Sequence, residues 1–185
     1  MSLILASASP RRRELLSLIT PDFTVIPAAG EENADKTLPP HLLVQELARQ
    51  KAAEVAALHP HDTVIGADTL VFSGTEIMGK PTDAADAKRM LTLLSGSVHT
   101  VITAVSIAQN GQTVKTFAQE TEVEFFPLTE EEITAYIATG EPMDKAGAYG
   151  IQDKGALLVK GITGDYYNVM GLPVGRLYRE LRALP

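Results

Sequence analysis

Cysteine is absent from this 185-residue chain, and that absence removes thiolate nucleophiles, disulfides, and zinc or iron–sulfur sites built on sulfur ligands. Long apolar runs are missing too. Nowhere do eighteen uncharged hydrophobic residues follow one another, and the first apolar run begins near residue 2 with no basic stretch ahead of it, so neither a membrane span nor a secretion signal is expected. Positive charge is in deficit: 16 Lys and Arg stand against 23 Asp and Glu, a formal charge of −7. No overall positive field therefore draws the protein to nucleic acid or anionic lipid. Serine hydrolase and zinc motifs do not occur. The four histidines follow no ligand spacing, and His59-Pro60-His61 suits a helix-ending turn. No repeat or low-complexity linker divides the chain. What remains is 45% hydrophobic residues, enough for one full core: a single domain over residues 1–185, with two lobes at most, in the cytoplasm. A negative protein with local arginines and lysines suits a small anionic ligand held in a focused pocket.

The most informative stretch is Leu3-Ile4-Leu5-Ala6-Ser7-Ala8-Ser9-Pro10-Arg11-Arg12-Arg13-Glu14-Leu15-Leu16. An apolar strand breaks at small hydroxyl residues and passes into a helix. Ser9 is the expected N-cap, because its hydroxyl can accept a bond from an amide of the first turn, and Pro10 suits N1, where no donor is needed. Arg11 and Arg12 then oppose the helix macrodipole, so an anion is expected to offset them. Free amides, the hydroxyls of Ser7 and Ser9, and guanidinium forks together describe a phosphate site. An arginine triplet alone would be solvated surface.

Further strands are expected at residues 23–26, at 63–67 ending on Asp68, at 69–72, and at 98–108 and 113–125 joined by the hairpin signal Asn110-Gly111. Two short strands are expected around Gly164. Helices are expected at 41–58, at 83–94 with Gly96 just beyond, from a Thr129/Glu132 capping box to about residue 139, and from Pro173 onward. Residues 28–40 form a loop that holds Glu31 and Glu32. The order is mixed α/β with long antiparallel strands.

Asp68 closes an apolar strand of the doubly buried kind, and such a carboxylate needs a partner or a task. It suits a general base or metal ligand with Thr69 beside it, and equally an aspartate capping a turn. Glu31, Glu32 and Lys51 would each be solvated surface if taken alone. Gly74 to Lys80 has the glycines and lysine of a P-loop, but Pro81 stands where a magnesium-binding hydroxyl belongs, so the motif fails and Lys80 is left as a phosphate ligand or a turn lysine. The small residues around Tyr149 let backbone approach a flat ligand, and the Gln152 amide can read a base edge; a plain connector has the same composition. Tyr149, Tyr166 and Tyr167 are expected in the core.

Taken together, Leu5-Ala6-Ser7-Ala8-Ser9-Pro10-Arg11-Arg12, Glu32, Leu47-Ala48-Arg49-Gln50-Lys51-Ala52, Gly66-Ala67-Asp68-Thr69, Gly79-Lys80-Pro81, Leu94-Ser95-Gly96, the run from Asp144 to Gln152 and Val169-Met170-Gly171-Leu172-Pro173 closely resemble the Maf family of nucleotide pyrophosphatases along nearly the whole chain. The resemblance implies a fold like that of inosine triphosphate pyrophosphatases, an elongated mixed sheet flanked by helices in two lobes around a nucleotide cleft. It also implies hydrolysis of nucleoside triphosphates to the monophosphate and pyrophosphate with a divalent cation, Mg or Mn, often in a homodimer. The Ala-Gly-Ala-Tyr-Gly-Ile-Gln form resembles the subgroup acting on dTTP, UTP and modified pyrimidine nucleotides. With that resemblance, Asp68 is expected as the base, Glu32 and Asp68 as holders of the metal, Arg11, Arg12, Lys51, Lys80 and the Ser9 helix start as partners of the phosphates, and Ser7, Ser9 and Lys145 as substrate-binding residues. Arg12, Thr69 and Gln152 fall where the family sets substrate choice. Asp153 departs from the glycine that commonly follows the glutamine. The family's link to arrest of septum formation implies the rival reading, a non-catalytic nucleotide sensor.

Overall fold

The computed structural model describes residues 2–30 and 33–184. Its first strand, β1 (Leu3–Leu5), leads through a short hydroxyl-rich loop into α1 (Pro10–Ser17). The Ser9 side chain caps α1 by accepting from the Arg12 N–H, and Pro10 opens the helix, as the sequence predicts. β2 (Thr24–Val25) is shorter than expected; α2 (Pro40–Leu58) and α3 (Ala84–Leu94) lie close to their predicted bounds. β3 (Thr63–Ser73) is one continuous strand and pairs with β4 (Glu76–Met78). Asp68 therefore sits in mid-strand and does not end one, because the buried apolar run resumes with Leu70 and Val71. β5 (Val98–Gln109) and β6 (Gln112–Phe125) form the expected hairpin, with Asn110 and Gly111 both at positive φ.

The capping box at Thr129 and Glu132 is complete and opens α4 (Glu130–Ile137). Beyond β7 (Val159–Thr163) the sequence reading fails: a helix, α5 (Tyr166–Met170), stands where a second short strand was expected. Asp165 Oδ1 accepts from the Tyr167 N–H at 2.8 Å, and the buried Asn168 side chain donates to the Val101 carbonyl and Thr121 hydroxyl at 3.0 Å. Those bonds favour a helical turn over an extended chain. α6 (Val174–Arg182) closes the chain.

The sheet order is β2-β1-β3-β5-β6-β7, with β4 on β3; β1 is parallel to β2 and β3, and β7 is antiparallel to β6. Helices flank this mixed sheet. Two compact units share it, the first comprising Met1–Asp68, Thr103–Gln119 and Gly171–Pro185, the second Thr69–Ile102 and Glu120–Met170. The core of the first packs Ala52, Val55 and Ala56 of α2 against Ile4, Ala6, Val64 and Ala108. That of the second gathers Met90, Leu91 and Leu94 of α3 with Val71, Val123, Phe125, Ile133, Tyr136 and Tyr149. Among the described residues no helix is long and apolar enough to cross a membrane.

Candidate active site

In the first unit, the loop after β1 and the start of α1 hold Arg12 in a fixed posture. Its Nε donates to the Gly171 carbonyl at 2.8 Å and its Nη1 to Ser7 Oγ at 3.3 Å, while Ser7 Oγ also accepts from the Ser9 N–H at 3.3 Å. Residues far apart in sequence, from the first motif and from Met170-Gly171-Leu172, thus meet at one guanidinium. Ser7 is buried, Ser9, Arg11 and Arg12 are half-buried, and Arg13 is exposed.

Asp68 and Lys51 are brought together by an unusually close helix–strand approach. A Cβ on Gly66 would stand 2.5 Å from both the Ala48 carbonyl oxygen and the Ala52 amide nitrogen, so only glycine lets α2 lie this near β3. Lys51 lies between those two alanines, and Asp68 follows Gly66 on the same face of the strand. The Lys51 ammonium is hydrogen-bonded to Asp68 Oδ1, with side-chain exposures of only 19% and 13%. Glu32, the expected second carboxylate, lies outside the described residues.

The second unit contains Thr69, Lys80, Lys145 and Gln152. The Gly147 N–H donates to the Gly79 carbonyl at 3.0 Å, which ties the Lys80 turn to the motif loop. Lys80 is exposed, and Thr69 and Gln152 are half-buried. The Lys145 ammonium is engaged by the Glu141 carbonyl at 2.6 Å and Asp144 Oδ1 at 2.8 Å, and its stem lies over Gly150, where a Cβ would come within 2.8 Å. The room at Gly147 is filled by Val71, so that glycine serves packing rather than approach to a flat ligand. Gly147, Ala148 and Asp153 all take positive φ, at 69°, 60° and 53°. Such clustering of left-handed residues marks a segment held by its surroundings.

Behind this loop the Tyr149 hydroxyl and His99 Nε2 share a 2.7 Å hydrogen bond, and both rings meet Phe125 edge-on. Burial pushes the His99 imidazole down to about 4 and the Tyr149 phenol up, with nearby Tyr136 adding to the latter. The Tyr136 hydroxyl accepts from the Gly150 N–H at 3.1 Å. Tyr149 is core as expected, whereas Tyr166 and Tyr167 are 38% and 42% exposed. The helix made by Asp165 and Asn168 turns these two rings outward.

No cluster of three His, Asp or Glu side chains capable of holding a metal occurs among the described residues. Asp68 alone fits the mode in which one or two carboxylates and the substrate phosphates share a magnesium-type ion. Sequence reasoning did not single out Gln50, Glu54 and His99, all engaged close to the candidate residues. A glutamate or glutamine on a helix carries no local mark of folding back onto a loop.

Comparison with known proteins completes these observations. A family model described as Maf-like protein matches residues 2–184. A dTTP/UTP pyrophosphatase from Bacillus cytotoxicus is 54% identical over 179 residues, covering 97% of this chain and 93% of its own. One from Agathobacter rectalis is 51% identical over 199 residues, covering 98% and 97%. Among solved structures, a HAM1 protein from Coxiella burnetii superposes over 98% of both chains with a TM-score of 0.55 at 15% identity, a likeness of fold alone.

Proposed function

This chain belongs to the Maf-like protein family, and on that premise we propose that it hydrolyses dTTP and UTP to the monophosphate and pyrophosphate. The names of its relatives support the substrates. The observation that carries the mechanism is the largely buried Lys51–Asp68 pair. Asp68 takes a proton from a water molecule. The water oxygen bonds to the α-phosphorus as the bond from that phosphorus to the bridging oxygen breaks, and pyrophosphate leaves with the electron pair. Lys51 occupies Oδ1, so lone pairs on Oδ2 can receive the proton.

Negative charge growing on the phosphate oxygens is met by cations and donors fixed before the reaction, which lowers the barrier without reorganisation. We assign that role to Arg11, Arg12, Lys51 and Lys80, with the hydroxyls of Ser7 and Ser9. Lys145 contributes through the loop it braces. Thr69 and Gln152 select the base. A divalent cation, Mg or Mn, supplies further neutralisation of the triphosphate when bound, and Asp68 and Glu32 are the residues assigned to hold it. A homodimer acting on the cytoplasmic nucleotide pool, modified pyrimidine nucleotides included, completes the reading.

The test is pyrophosphate release from a panel of common and modified nucleoside triphosphates, with Mg or Mn, by the protein and its Asp68→Asn variant. We expect turnover of dTTP and UTP that falls by about 10²- to 10⁴-fold in the variant, the usual worth of a general base, while nucleotide binding persists. Binding without turnover of any nucleotide by the unaltered protein would overturn the enzyme and leave a nucleotide sensor acting on septum formation.

A further inference from the structure

The segment that carries Gln152 is fixed on both sides from within the second unit. Near the end of α4 the Tyr136 hydroxyl accepts from the Gly150 N–H at 3.1 Å. Gly155 closes on the same residue: a Cβ there would stand 2.0 Å from the Gly150 carbonyl oxygen and 2.7 Å from the Tyr136 hydroxyl. Gln152 lies between these two glycines and is half-buried. Tyr136 is only 4% exposed, and its helix is secured at the start by the Thr129/Glu132 capping box. Tyr149, next to Gly150, is buried as well and is tied to His99 Nε2.

A buried phenol needs a hydrogen-bond partner, whereas phenylalanine would fill the same core space with no such demand. Here the hydroxyl fixes one backbone residue of the Gln152 segment. What a fixed segment serves follows from the chemistry of pyrimidine edges. Uracil and thymine present an acceptor at O4 beside an N3–H donor, and cytosine presents a donor at N4 beside an N3 acceptor. The Gln152 amide carries both an acceptor oxygen and a donor NH₂, so an amide free to shift or turn would suit either edge. The two bases are told apart only when the amide is held in one place, because the wrong edge then leaves polar groups unpaired.

We propose that Tyr136 is a positioning residue for base selection: its hydroxyl, with Gly155 packed behind, fixes Gly150 and thereby the place from which Gln152 distinguishes a uracil or thymine edge from a cytosine edge. The proposal rests on reading Gln152 as a residue that selects the base. Tyr136 acts through the backbone it holds, as the supporting shell of a binding site does. Its ring belongs to the core cluster with Ile133 and Tyr149, so removing the hydroxyl alone leaves that packing in place.

The experiment is calorimetric titration of the full chain with non-hydrolysable analogues of dTTP, UTP and dCTP and with inorganic tripolyphosphate, for the unaltered protein, Tyr136→Phe, Gln152→Ala and the double variant. Hydrogen exchange of the Gly150 amide is measured alongside. We expect the unaltered protein to prefer the dTTP and UTP analogues over the dCTP analogue. Tyr136→Phe should reduce that preference about 10-fold, within the range of coupling between residues of one network, with faster exchange at Gly150 and unchanged affinity for tripolyphosphate. Gln152→Ala should reduce the preference too, and adding Tyr136→Phe to it should change nothing further, because the hydroxyl acts only through Gln152. Losses that add in the double variant overturn the proposal. So do equal losses for all four ligands in Tyr136→Phe, the mark of a merely structural role, and an unaltered protein that binds the dCTP analogue as well as the others. If Gln152→Ala keeps the full preference, the reading of Gln152 falls and the proposal with it; if Gln152→Ala loses the preference while Tyr136→Phe keeps it, the proposal alone falls. None of these readings requires turnover, so failure of the pyrophosphatase activity is scored separately.

Discussion

Asp153 holds a left-handed conformation, φ 53°, which glycine adopts far more readily than a residue with a Cβ. A non-glycine residue there costs about 1 kcal/mol, so Asp153→Gly should raise the unfolding free energy by roughly that amount, read as a higher urea midpoint. The same variant tests whether the aspartate's charge bears on base choice: the ratio of dTTP to UTP turnover should shift if it does and stay constant if the residue acts on the backbone alone. His99 allows a second residue-level prediction. Its pKa falls from 6.5 to about 4 on folding because burial disfavours the cation. Between those values the unfolded chain binds a proton that the folded chain refuses, so stability is full above pH 6.5 and declines as pH falls toward 4. The loss is bounded at about 3 kcal/mol. His99→Leu should be less stable than the parent at pH 7.5, having lost the Tyr149 bond, yet show a flatter fall between pH 6.5 and 4.5. An equally steep fall in both proteins would mean that carboxylates elsewhere account for the acid sensitivity.

The approach of α2 to β3 decides the chemistry of the first unit at the level of elements. Gly66→Ala places a methyl group 2.5 Å from backbone atoms of Ala48 and Ala52, which have no rotamer with which to yield. The helix must move out, at a cost of about 3 kcal/mol by analogy with overpacked cores, and Lys51 moves with it. Turnover should therefore fall more than the folded fraction does; wild-type stability and turnover in this variant would show that the spacing has no such role. Elements whose ends carry their own chemistry were legible in the sequence. Ser9 with Pro10, the Thr129/Glu132 box and Asn110-Gly111 all set their boundaries by bonds or φ values within a few residues. α5 was not legible, since Tyr166, Tyr167 and Val169 suggest a strand until Thr121 and Val101, distant in sequence, receive the Asn168 side chain.

For the whole molecule, a ligand that binds only the folded chain must raise its stability by mass action. A non-hydrolysable dTTP analogue at 100 times its dissociation constant contributes about 2.7 kcal/mol, which for a chain of this length is a rise in Tm of about 5–10 °C. Asp68→Asn should keep that rise and Arg12→Ala should lose most of it; an equal rise in all three would remove Arg12 from the phosphate ligands. The sequence by itself determined the mixed α/β class, the excluded chemistries and the motif residues, because composition, helix caps and hairpin turns act over short distances. Only the tertiary structure decided that Asp68 lies within a strand and pairs with Lys51, that Arg12 is held by the Gly171 carbonyl, and that Glu54 holds Ala29 and Gly30 while Gln50 holds Asn33. Each of those contacts joins side chains to partners many positions away, and no local pattern encodes the close packing at Gly66 or the backbone carbonyl at Gly171 that makes them possible.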